Sequence, residues 1–141
     1  MSRSRVRLLT VVAVATATCS VLLHAFSAGL YYRVMSARLM MIDQMAVRRG
    51  AEYLADGPQK AIDEVQAFAL EQGIAENEIS FIRTAASGHS IGMALHRKIP
   101  EYVATFSVGL PNRVIRVTAW AQEGAQPPPG TPSAPLLFAT R

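Results

Sequence analysis

The chain has a single cysteine, Cys19, and it lies inside an apolar run. One thiol excludes a disulfide framework, and in such a run its ordinary role is that of a small helix-packing residue. No CxxC, HExxH, GxSxG, GxxxxGK[ST] or GxGxxG pattern occurs, so the common signatures of metal, nucleophile and phosphate chemistry are missing. Of the three histidines, His24 belongs to the apolar run. His89 and His96 fall on one expected strand at an odd spacing, which aims them at opposite faces and away from a shared metal. Asp63 and Glu64 are adjacent on an expected helix and diverge by about 100°, so they form no acid–base pair. Ser87 and Ser90 flank His89, but no acid with a fixed place completes a nucleophilic set. Neither enzymatic activity nor a cofactor or metal is expected.

Acid is also scarce, with 10 Asp+Glu against 14 Lys+Arg, a net charge of +4 and a pI near 9.7. Arg3, Arg5 and Arg7 crowd the start, and the remaining basic residues are scattered without an aromatic stripe. That distribution serves orientation and solubility, and no nucleic acid is expected as a partner. Charge is absent altogether from residues 8–32, LLTVVAVATATCSVLLHAFSAGLYY. Some 20 apolar residues at about 1.5 Å each cross a bilayer core of roughly 30 Å. With arginines before it and Tyr31-Tyr32-Arg33 at its exit, the run reads as one membrane helix, N-terminus in the cytoplasm and the remainder outside. A cleaved signal peptide shares the basic start, and Ala25-Phe26-Ser27 offers it a small-x-small site. The length of the run and the helical spacing that continues beyond it favour a retained anchor. His24 is expected to bond a neighbouring helix or to sit near the interface.

Past the run, helical spacing sets Met35, Leu39, Ile42, Ala46, Arg49, Gly50 and Tyr53 on one stripe, with Met45 at its edge. Met40, Met41 and Val47 fall off that stripe and form a second apolar surface, which predicts contacts beyond the chain's own head. Arg38, Arg48 and Arg49 are candidates to pair with partner acids or lipid phosphates, or stay solvated. Gly57-Pro58 starts a second helix over 58–72, with Ala61, Ile62, Val65, Phe68 and Ala69 inward and Gly73 as its left-handed cap. The period then changes to two. Residues 78–84 alternate through Ile79 and Phe81, and 90–98 through Ile91, Met93 and Leu95, with AASG between them as the hairpin turn. A short helix follows from Pro100 to Gly109, with Tyr102, Val103 and Phe106 inward, and a third strand over 113–122.

The expected fold is thus α+β: a transmembrane helix continuing into a stalk helix, then a small head of helix, β-hairpin, short helix and third strand. Its divisions are a basic N-terminus (1–7), span (8–32), stalk (33–56), head (57–122) and a mobile proline-rich tail (123–141). So small a head gains stability from packing on the stalk or a partner.

This order of parts resembles the TadE/TadG-like proteins of tight-adherence (Flp) pilus assembly. The matching pieces are Ala37-Arg38-Leu39, the helix ending in Glu71-Gln72-Gly73, the short helix before Gly109, and Val117-Thr118-Ala119-Trp120-Ala121. Met40 and Met41 replace the family's polar pair, Asp43 stands one place early, and Arg48-Arg49 replace alanines. Neither a prepilin-peptidase signature nor a D-x-S-x-S adhesion motif is present. The resemblance implies a small pseudopilin-like accessory protein of the bacterial inner membrane, its head periplasmic. Its implied partners are other Tad/Flp pilus or secretion membrane proteins and the lipid bilayer, with homo- and hetero-oligomers through the helices both open. Partner binding is expected from Met35, Leu39, Met40, Met41, Ile42, Met45, Val47, Arg49 and Tyr53. The alternative is a membrane-anchored binding module for a small ligand or cell-wall element, with His89, His96, Arg83, Arg97 and Trp120 as scattered candidates. That reading needs a concave pocket with converging polar groups.

Overall fold

The computed structural model describes residues 3–106 and 114–124. Helix α1, Arg3–Glu52, runs without interruption from the basic start through the apolar run and the stalk. No proline and no paired glycines interrupt it, and several of its hydroxyl groups bond back along their own helix. Thr10, Thr16, Thr18 and Ser27 each donate to the carbonyl four residues earlier, at 2.9 Å. His24 Nδ1 lies 2.7 Å from the Ser20 carbonyl of its own helix. Internal satisfaction of this kind is what a span in hydrocarbon requires.

The chain then turns through a 3₁₀ segment, Leu54–Asp56, into α2, Pro58–Glu71. Helix α2 buries Ala61, Val65 and Ala69. Gly73, at φ +79°, closes it, with its amide donating to Leu70 and that of Ile74 to Ala69. Strand β1, Ile79–Thr84, pairs antiparallel with β2, Ser90–Lys98, which pairs antiparallel with β3, Val114–Gln122. Sheet order is β1-β2-β3, and α3, Glu101–Phe106, bridges β2 and β3 on the way.

One face of the sheet packs on α1, which also contacts α2 and α3. Ile91, Met93 and Leu95 of β2 and Ile115, Val117, Ala119 and Ala121 of β3 form the sheet's side of the core. The period-two reading of β2 therefore holds, and β3 is the expected third strand. In β1 it slips: an irregularity between Ile79 and Phe81 turns Ile82, not Phe81, onto the core beside Ile79. Such a bulge adds a residue on one strand and reverses the faces beyond it. Phe81 instead lies beside Trp120, ring centroids 6.4 Å apart. In α3, Val103 is buried as expected, whereas Tyr102 points outward at 68% exposure. The Phe106 side chain, Gly109 and the proline-rich tail beyond 124 lie outside the described residues.

Along α1, coverage by the rest of the chain begins at Ala28. Residues 6–27 are almost wholly uncovered, a length of roughly 33 Å at 1.5 Å per residue. That stretch matches a bilayer core, so this single long apolar helix is compatible with a membrane anchor.

Candidate functional site

The stalk half of α1 has two faces with different chemistry. Toward the head, Leu39, Ile42, Ala46, Val47, Gly50 and Ala51 are buried. Away from it, Leu30, Val34, Met40, Met41 and Met45 are exposed at 52%, 60%, 51%, 55% and 38%. The set expected to bind partners is thereby divided. Leu39, Ile42 and Val47 are core residues of the chain's own head, and Met35 and Tyr53 are half-buried against that core. Val47 thus has no part in a free second surface. The covered side of α1 is turned toward Val47 relative to the expected stripe, because the sheet and α2 together wrap more of the helix than one narrow stripe. Met40, Met41 and Met45 remain outside.

Arg49 is also engaged within the chain. Its Nε donates to Glu64 at 3.2 Å, and its guanidinium lies 5.7 Å from the Phe68 ring, tying α1 to α2. Arg33, Arg38 and Arg48 make no ion pair among the described residues. Apart from Glu52 at its end, the one acid in α1 is Asp43, and it is fully buried.

Asp43 is the residue that sequence reasoning passed over. Both carboxyl oxygens are enclosed, and among the described residues no well-formed hydrogen bond reaches them. Burial raises its pKa from 3.8 to about 7, and the Ala119 backbone on β3 opposes that only in part. The signal available in the sequence was its position: a lone acid one residue from Ile42 in an otherwise apolar or basic helix. A helical wheel cannot show how far round the helix the sheet reaches.

At the end of the head that meets the start of the stalk, Arg97 on β2 makes a two-pronged contact with Glu78, at 2.5 and 2.7 Å, and its third nitrogen lies 3.3 Å from Met35 Sδ. Glu78 also accepts from the Ala75 amide at 3.0 Å. The guanidinium holds the Glu78 carboxyl below the usual range. Arg97 is thus a bolt between strand, loop and stalk, and not a free ligand-binding group.

The other scattered candidates do not converge. Arg83 lies over Phe81 and Trp120 on the outer sheet face, 4.6 and 5.7 Å from the rings. His96 meets Ser80 at 2.9 Å, beside an open depression of about 340 Å³ that Arg116 and Thr118 also line. His89 precedes β2 and pairs with Glu123 at 3.0 Å, with Ser87 and Ser90 nearby in a second open depression. Glu123 is the acid that sequence reasoning did not place, but the His89 side chain is 79% exposed there. No group of three metal-ligating side chains occurs among the described residues. Comparison with protein-family models, curated proteins and solved structures found no match.

Proposed function

We propose that the chain is an accessory structural component of a Tad-type (Flp) pilus or a related envelope secretion apparatus, acting through helix packing and protein contacts. It sits in the bacterial inner membrane by the long N-terminal helix, N-terminus in the cytoplasm and head in the periplasm. The motifs that resemble TadE/TadG-like proteins support this reading. So does one observation above all: an unbroken helix carries the head on one side and leaves Met40, Met41 and Met45 bare on the other. Unbranched, polarizable methionines suit a surface that must repack against another helix. Met41→Glu tests the proposal in the native cell. Loss of pili and of co-purifying Tad components from solubilised membranes is expected, with the head's unfolding unchanged. Normal assembly and co-purification would overturn it.

A further inference from the structure

The outward face of the stalk has a register as well as a composition. Leu30, Val34, Ala37, Met41, Gln44 and Arg48 follow one another at alternating steps of four and three. That is the a/d spacing of a coiled-coil seam. All but the half-buried Arg48 are exposed, and the line lies opposite the face that meets the head. Toward the N-terminus it continues through Ser27 and Leu23, both exposed on the apolar segment.

The flanks of this seam decide what fits it. With Val34 and Met41 at a positions, Arg33 occupies g and Arg38 occupies the next e. In a parallel pair of helices, the g residue of one chain faces the following e residue of the other. Two copies of this chain would therefore set Arg33 against Arg38 on both sides of the seam. Arg48 at the far end adds a third charge of the same sign. From residue 30 to residue 48 the helix exposes no acid that could balance them, because Asp43 is on the buried face. Charge complementarity excludes a second copy and selects a helix that brings acids to its own e and g positions.

We infer that the seam from Leu30 to Arg48 docks a parallel, membrane-anchored helix of a different chain, whose flanks carry Asp or Glu opposite Arg33 and Arg38. This rests on the reading that the stalk acts through helix contacts, and it deepens that reading by naming the partner's chemistry.

A mixing experiment with full-length chains reads the inference directly. The variant Arg33→Glu/Arg38→Glu keeps every residue of the seam and presents the acids that the partner would present. Wild-type and variant chains, labelled at their C-termini, are combined in phosphatidylcholine nanodiscs, and association is followed by energy transfer. The unlike pair is expected to associate at least ten-fold more tightly than either like pair, to weaken with salt, and to separate when either chain carries Met41→Glu. Equal association of all pairs would overturn the inference, since the flanks would then select nothing. Tighter pairing of wild type with itself would overturn it in favour of a second copy. If no pair forms, but phosphatidylglycerol binds to wild type and not to the variant, the arginines serve lipid headgroups and the inference fails. Circular dichroism of each variant confirms that the head is folded. These outcomes are independent of pilus assembly in cells, so failure here is distinct from failure of the proposed function.

Discussion

A Cβ on Gly50 of α1 would lie 2.2 Å from Val65 Cγ2 on α2 and 3.1 Å from the Ala61 carbonyl oxygen. The two helices meet at the one residue type that lets them. Gly50→Ala gains up to about 1 kcal/mol of helix propensity. Overpacking against a β-branched side chain and a backbone oxygen costs about 1–3 kcal/mol and wins. Urea unfolding should show net destabilisation. Gly50→Ala with Val65→Ala should cost less than the two single changes added together, the sign of direct coupling.

Asp43 gives stability an uncommon pH dependence. Its carboxyl is harder to ionise in the folded head than in the unfolded chain, so folding holds an extra proton between pH 3.8 and about 7. The penalty is absent below the lower value, grows through that interval and levels off above it. Over the whole interval it amounts to at most about 4 kcal/mol. Asp43→Asn should remove most of this slope and raise stability at neutral pH. Unfolding curves at a series of pH values check it, and an unchanged slope would count against the assignment.

Glu78 acts in the opposite sense. Its pKa is lowered by Arg97, so the pair stabilises above the ordinary Glu range and is lost as pH falls through the lowered value. Glu78→Gln should cost roughly 1–3 kcal/mol near neutral pH and nothing at strongly acid pH. Together the two acids place maximum stability on the acid side of neutrality, which a thermal scan across pH would locate.

The two faces of the stalk separate on mutation. Met41→Glu meets solvent and should change head stability by less than about 0.5 kcal/mol. Val47→Glu places a charge at a position 1% exposed and should cost more than about 4 kcal/mol, or unfold the head. Parallel denaturation of the two variants is the measurement.

Trp120, the chain's one tryptophan, covers Gly92, where a Cβ would lie 2.5 Å from the ring. The ring can swing outward, so Gly92→Ala should cost under about 1 kcal/mol while red-shifting the indole emission. An unshifted spectrum would show that the ring does not rest on Gly92.

Much of this architecture was legible in the chain. The charge-free run, the cap at Gly73, the alternation of β2 and the turn before Ser90 are local patterns, each set by backbone geometry and by which side of an element is apolar. They determine an uninterrupted apolar helix and a small α+β head that follows it. Only the tertiary structure decided which sides of α1 the head covers. Leu39 and Met41 are both apolar helix residues, and spacing cannot say that one is enclosed and the other bare. It also decided the reversal of Phe81, which depends on a bulge against β2, and the close approach of Gly50 to Val65. Asp43 is the clearest case. Its chemistry follows from enclosure by a strand more than 60 residues away in the chain, and no local pattern carries that information.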